Sequence, residues 1–408
     1  MGSGVAERVE SLMAKNTVRL PGASYTKPSQ RVYEEQWLWD SCFHAIINSH
    51  LNLELAEQEI RAVLAHQVQD GPDAGMIPHM TYWRGGGTEL WGVDDRSTIT
   101  QPPMVAYAVR EIFRRGGEHG GSEGSAFARE AYGPLKAYYD WFYARRDADK
   151  DRLVTIIHPW ESGWDNSIRW DELMGFTDDT SNRYKRAALV GELERLGYDE
   201  VAIAKAGLFA VEAVDFNAIL AENLTALSDL AGVLGHPDDQ SFYERRGEEV
   251  REAINRKCWD EEAGFYCDLN LARGRDEDRN KNRICVKTPA AFVTLFAGIP
   301  DAGRAERLVL EMSRPEEFWT TYPLPTVARS DPAFSHDRYW RGTTWVNINW
   351  FVIKGLRRYG YEALAGELTR RTLDLVEAHG FWEYYNPDTG QGLGAKELSW
   401  SGLILDLV

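Results

Sequence analysis

The stretch VAYAVREIF, residues 105–113, decides the fold class. Val105, Ala108, Val109, Ile112 and Phe113 recur at i, i+3, i+4, i+7 and i+8, which lays one apolar stripe along an α-helix. Leu53, Ala56, Ile60, Val63 and Leu64 nearly repeat the pattern, and strand-type alternation is scarce. The same spacing predicts helices near 42–51, 126–145, 215–235, 240–257, 287–298, 302–313, 343–359, 361–379 and 397–407, roughly eleven or twelve in all. Many are joined in pairs by short polar turns, YGY at 359–361, GHPDD at 235–239 and IPDAG at 299–303, as antiparallel neighbours require. No linker or composition break divides the chain, so an all-α toroid forming a single domain over residues 1–408 is expected. The glycine-rich run GGEHGGSEGS, 116–125, reads as a flexible surface loop.

Between the pairs lie long aromatic-rich links, 70–100, 147–185, 258–286, 314–342 and 380–396, where a rigid helical scaffold would carry function. A net charge of -17, from 46 basic against 63 acidic residues, repels phosphate backbones and anionic lipid. Neither nucleic acid nor a membrane is an expected partner. The start MGSGVAERVESLMAKN has no basic, apolar and small-residue succession, which predicts a cytoplasmic protein; association into a homo-oligomer is left open. The four cysteines, Cys42, Cys258, Cys267 and Cys285, lack CxxC spacing and read as buried free thiols.

Trp is followed directly by an acid at Trp39-Asp40, Trp164-Asp165, Trp170-Asp171, Trp259-Asp260 and Trp382-Glu383, where chance alone gives about two such pairs. An indole face packs on the C–H face of a sugar while a neighbouring carboxylate accepts its hydroxyls. WDEEAGFYCDL, from Trp259, reads instead as a helix end, a turn and a short strand. Asp40 is both a plausible helix cap and a cleft residue behind Trp37 and Trp39. In ESGWDNSIRW, 161–170, Asp165 beside Trp164 is an acid whose desolvation would keep it protonated, while Asp171 reads as structural. Glycosidic cleavage needs such a proton donor and a second carboxylate across the sugar. Glu383 in GFWEYYNPDTG and Glu397 in GAKELSW both qualify by sequence, although Glu397 at a helix start also suits the helix dipole.

Other chemistries find little support. Phosphate-binding, dinucleotide, GxSxG and HExxH motifs are missing, so no cofactor or metal is expected. Asp147-Ala-Asp149-Lys-Asp151 imitates a calcium loop, but Arg152 and His158 stand at its sixth and twelfth positions, and a solvated turn is the better reading. His79 and His158 read as structural histidines.

YEEQWLWDSCF, ITQPPMVAYAV, ESGWDNSIRW, VDFNAIL, CWDEEAGFY, WEYYNPDTG and ELSWSG occur in the order found in trehalases and glycoside hydrolase family 63, over roughly 33–405. RYWRGTTWVNINW, 338–350, resembles family 63 rather than the trehalases, and the compact bacterial mannosylglycerate and glucosylglycerate hydrolases are the most similar group. The resemblance implies an (α/α)6 barrel with its active site at one mouth, an inverting reaction, Asp165 as general acid and Glu383 as general base. It also implies a sugar pocket at Trp37, Trp39, Asp40, Gln101, Trp160, Gly163, Trp345 and Trp400, with Trp164 beside the acid and Tyr33, Tyr82, Tyr339 and Trp340 near the glycerate. Inversion leaves room for water, so the two carboxyl groups are expected roughly 6.5 to 9.5 Å apart. A glycerate carboxylate in so acidic a chain calls for a cation, for which Arg341, Arg183, Lys185 and Arg186 are the candidates, although SNRYKRAAL also reads as the polar start of a helix. The competing readings are trehalose or a short α-glucoside as substrate, a sugar epimerase on the same toroid, and a non-catalytic sugar-binding protein.

Overall fold

The computed structural model describes residues 2–118, 123–273 and 282–408. After α1 (Gly2–Asn16) come the pairs α2 (Leu38–Leu51) with α3 (Leu53–Leu64), and α4 (Val105–Glu118) with α5 (Glu123–Arg145). A lone α6 (Asp179–Arg195) precedes the pair α7 (Val214–Leu234) and α8 (Pro237–Lys257). A short α9 (Val293–Phe296) with α10 (Ala302–Met312), then α11 (Val346–Arg358) with α12 (Glu362–His379), lead to a C-terminal 3-10 helix, Ser399–Leu407.

Patterning decides which member of a pair faces inward. In α7 buried residues run almost without a break from Val214 to Leu224, so the helix is enclosed on all sides. In α8 the buried positions reduce to Tyr243, Gly247, Val250, Arg251, Ala253 and Ile254, one stripe at helical spacing, and the rest meets water. The inward members touch in sequence: α2 against α4, α4 against α7, α7 against α9, α9 against α11, α11 against the 3-10 helix, and that helix against α2. This closes a ring. Outside it, α3, α5, α8 and α12 pack on their own partners, and α1 packs on the 3-10 helix, so the first helix completes the sixth pair. The result is the (α/α)6 toroid.

Several local expectations change. The first inner helix starts at Leu38, four residues early, and α1 has no counterpart among the expected helices. The segment read as a helix over 287–298 is split into a 3-10 turn, Pro289–Ala291, and α9. Glu397 lies before the last helix with a positive φ of 56° and pairs with Lys15 at 2.7 Å, so it starts no α-helix. Within 116–125, residues 116–118 end α4 and 123–125 begin α5, where a loop was expected; 119–122 lie outside the described residues.

The long links carry short antiparallel pairs. Trp259–Asp260 pairs with Phe265–Tyr266, and Asp260 accepts the Ala263 amide at 2.8 Å, the structural role expected of it. The expectation of four free thiols is corrected: Cys42 and Cys258 are free and buried, but Cys267 and Cys285 are disulfide-bonded. The register pairing Asp268 with Ile284 and Leu269 with Arg283 sets the two cysteines opposite each other, which sequence spacing does not reveal. In the 147–151 turn, Asp147 is buried rather than solvated, and Lys257 pairs with Asp151 where the three carboxylates converge. No described helix is long and apolar enough to cross a membrane.

Candidate active site

Asp165 stands on a loop held by charges at both ends. Upstream, Glu161 is fully buried and takes Arg146 through two bonds of 2.9 and 2.7 Å, together with the amides of Thr100 and Ile157. Downstream, Arg169 binds both oxygens of Asp215 at 3.0 Å and Asp268 at 3.2 Å, with its guanidinium over the rings of Trp164 and Trp170. Burial, with the neighbouring charge of Asp215, pushes Asp268 above the usual aspartate value against the pull of Arg169. Between these anchors His158 caps the turn Pro159–Ser162, accepting the Trp160 amide on Nδ1 and thereby donating from Nε2 to the Arg186 carbonyl. Burial lowers His158 to about 3, so it stays neutral, as a structural histidine should.

Gly163 then turns the chain with a φ of +74°, where a Cβ would fall 2.6 Å from Trp39 Cζ2. Only glycine lets the loop lie on that indole. Asp165 itself is raised above the usual aspartate value, first by burial, against Arg186 and hydrogen bonding from Tyr339 and Trp160. The indole beside the acid is therefore Trp160. Trp164 is buried in a stack with Trp340 at 4.9 Å; Trp340 stacks on Trp345 at 3.5 Å, and Trp345 on Tyr384 at 5.0 Å.

Glu383 lies on a hairpin, Trp382–Tyr385 paired with Gly392–Lys396. The register slips between Trp382 and Tyr384, an irregularity that sits at Glu383 itself. Its Oε1 accepts the Tyr33 hydroxyl at 2.6 Å and its Oε2 the Ala395 amide at 2.8 Å. Gly394, at φ +70°, brings the opposite strand so close that a Cβ would meet Oε2 at 2.4 Å. Burial lifts Glu383 to about 7, opposed by those two donors and assisted by the charge of Asp165. One chamber thus holds a carboxyl lifted to neutrality and a second one raised by burial but restrained by the guanidinium beside it.

That chamber has a volume of about 460 Å³. Asp165 and Glu383 line it with Tyr33, Trp37, Trp39, Asp40, Gln101, Trp160, Gly163, Tyr339 and Trp400, all expected from sequence. Asp40 is buried in the first turn of α2, where burial raises it well above the usual range, and Gln101 Oε1 accepts the Trp39 amide at 3.3 Å. Tyr82, Trp164, Trp340, Arg341 and Trp345 do not line it. The three tryptophans form the stack behind it, and the Tyr82 hydroxyl accepts from Trp91 at 2.9 Å. Arg341 is spent on Asp171, with two bonds of 2.8 and 2.5 Å, which gives Asp171 the structural role expected and removes Arg341 from the cation candidates at the cavity. Lys185 donates to the Gly175 carbonyl. Arg183 and Arg186, both on α6, line the chamber. Sequence reading passed over Glu161, Arg146 and Arg169; a charge within an apolar, aromatic segment was the signal available.

A family model described as a mannosylglycerate hydrolase MGH1-like glycoside hydrolase domain matches residues 33–401. The chain belongs to that family of glycoside hydrolases. It is similar to a mannosylglycerate hydrolase of Thermus thermophilus, 37% identical over 93% of this chain and 95% of the relative. A glucosylglycerate hydrolase of Mycolicibacterium hassiacum is 28% identical over 92% of each. Among solved structures, a family 63 mannosylglycerate hydrolase from Thermus thermophilus, in complex with Tris and D-glycerate, superposes with a TM-score of 0.87 at 35% identity, over 98% of this chain and 99% of that one. The protein is a glycosidase, which leaves the epimerase and pure binding readings without support.

Proposed function

We propose that this enzyme, acting as one domain in the cytoplasm, hydrolyses small α-glycosides of glycerate, mannosylglycerate or glucosylglycerate, to the free sugar and glycerate with inversion. Asp165 protonates the bridging oxygen, whose bond to the anomeric carbon breaks with both electrons left on the glycerate oxygen. Glu383 removes a proton from the water that attacks that carbon from the opposite face. Its bonds to Tyr33 and Ala395 aim it at the chamber and favour its ionised form. Trp37, Trp39, Trp160 and Trp400 offer faces for the sugar, and Asp40 and Gln101 hydrogen-bonding groups for its hydroxyls. Trp164, Trp340 and Trp345 act by stiffening these walls. Tyr33 and Tyr339, which line the chamber, are assigned to the glycerate side; Tyr82 and Arg341, outside it, are not.

The observation that carries the choice of an anionic aglycone is the pair of guanidinium groups on α6 at the chamber wall of an acidic protein. Product release from mannosylglycerate, glucosylglycerate and trehalose tests it. Turnover of a glycerate glycoside above trehalose supports the reading; trehalose as the preferred substrate rejects it. Replacing Arg183 by Ala is expected to raise KM for a glycerate glycoside about tenfold or more, and to leave the uncharged glycerol glycoside nearly unchanged. Equal loss on both substrates would remove Arg183 from this role.

A further inference from the structure

The two arginines of the chamber differ in what already holds them. Arg183 is exposed and enters no ion pair among the described residues. Arg186 is buried and faces the acid: its Nη2 lies 3.3 Å from Asp165 Oδ2, and its Nη1 reaches the Asp165 carbonyl at 3.3 Å and Asn166 Oδ1 at 3.5 Å. Every one of these contacts is long, and Nε, although buried, has no acceptor. Arg146 and Arg341, by contrast, grip their carboxylates through two bonds of 2.9 Å or less. The main chain of Arg186 is fixed, since its carbonyl accepts from His158 at 2.9 Å, while its guanidinium has bonding capacity to spare. It lies beside the one group that must carry a proton for glycosidic cleavage, and that group cannot easily carry a proton while paired with a cation.

Resting on the proposed glycerate substrate, we propose that Arg186 is exchanged between the general acid and the substrate. In the empty chamber it holds Asp165 as a carboxylate. A glycerate carboxylate supplies two oxygens in the fork geometry that Asp165 does not offer, draws the guanidinium away, and sets a second negative charge near Asp165. Asp165 then takes one proton from solvent, gives it to the bridging oxygen, and is left ionised to receive Arg186 again as glycerate departs. The substrate's own charge thereby arms the acid, and an uncharged glycoside that fits the same walls does not. The other groups facing Asp165 do not perform this exchange: Tyr339 and Trp160 are neutral donors, Tyr33 is engaged by Glu383, His158 is neutral, and Glu383 has the wrong sign. Arg183, one turn earlier on α6, receives the carboxylate without touching the acid's proton.

Proton uptake on binding tests this without turnover. In a Glu383→Gln background, titration calorimetry in buffers of different ionisation enthalpy counts protons taken up with a glycerate glycoside and with the matching glycerol glycoside. The exchange predicts about one proton for the first near neutral pH and about none for the second. Adding Arg186→Gln abolishes the difference, because Asp165 is then protonated before ligand arrives, whereas Arg186→Lys restores part of it. Equal uptake with both ligands, or unchanged uptake in Arg186→Gln, overturns the proposal. Wild-type enzyme serves as the control on the reading beneath it: no sugar released from glycerate glycosides rejects the substrate class, whereas release without differential uptake rejects the exchange alone.

Discussion

The loop of Asp165 and the hairpin of Glu383 place two carboxylates in one chamber by opposite means. The loop carries only two short 3-10 turns, Pro159–Ser162 and Ile168–Trp170, and is pinned by buried ion pairs, Glu161 with Arg146 before the acid and Arg169 with Asp215 and Asp268 after it. The hairpin is pinned by backbone pairing, and among the described residues no cation pairs with its carboxylate, which takes a phenol and an amide. The difference matches the tasks proposed for the two groups. A base needs burial to bring it near neutrality and neutral donors to keep it ionised and aimed. An acid that must gain and lose a proton in each cycle is better served by a charged partner whose grip can be altered.

The largest expected effect removes either carboxyl function. Asp165→Asn and Glu383→Gln should each lower kcat by about 100- to 10,000-fold, with the folded state unchanged by circular dichroism. An activated leaving group needs no proton, so a glycosyl fluoride should recover much of the loss in Asp165→Asn and none in Glu383→Gln; equal recovery in both would erase the distinction. Next comes the charge brace. Glu161→Ala strands Arg146 in the interior and should cost about 3–5 kcal/mol, read as a fall in the urea midpoint. A comparable change in the hairpin, Thr389→Ala, at an exposed turn position, should stay within about 0.5 kcal/mol. If the two shift stability alike, the loop is not held by its charges.

Gly163→Ala sharpens the comparison further, because the new Cβ would press on Trp39 at a positive φ. It should cut kcat/KM about tenfold or more while leaving the pH profile of the Glu383 limb in place. The smallest effect concerns the base alone. The Tyr33 hydroxyl favours ionised Glu383, so Tyr33→Phe raises the carboxyl above its value of about 7, and the rising acid limb of kcat/KM moves to higher pH. A limb that moves to lower pH, or stays, would mean that Tyr33 does not serve the base.

The sequence made the helices legible because apolar spacing is a local property, as in VAYAVREIF, and three of the five Trp-acid pairs, at Asp40, Asp165 and Glu383, carry an acid that lines the chamber. What escaped depends on contacts made far along the chain. That α1 completes the sixth pair against residues 399–407 is a matter of the two ends of the chain meeting. Cys267 and Cys285 look unrelated until strand register sets them opposite each other. Glu383 against Glu397 could not be chosen from composition; burial and two donors distinguish the first, whereas Lys15 at the surface takes the second. Trp164 seemed to desolvate Asp165 because it is adjacent in sequence, but its ring enters the stack with Trp340, and Trp160, a turn earlier, stands beside the acid.

The central claim, that Asp165 and Glu383 hydrolyse α-glycosides of glycerate by direct displacement, is tested most directly by proton NMR of the first product formed. Within seconds of adding enzyme to mannosylglycerate or glucosylglycerate, the account predicts free glycerate together with the sugar as its β anomer, appearing before mutarotation supplies the α form, and neither signal with Asp165→Ala or Glu383→Ala. Sugar released first as the α anomer, or no glycerate from either compound, would contradict it.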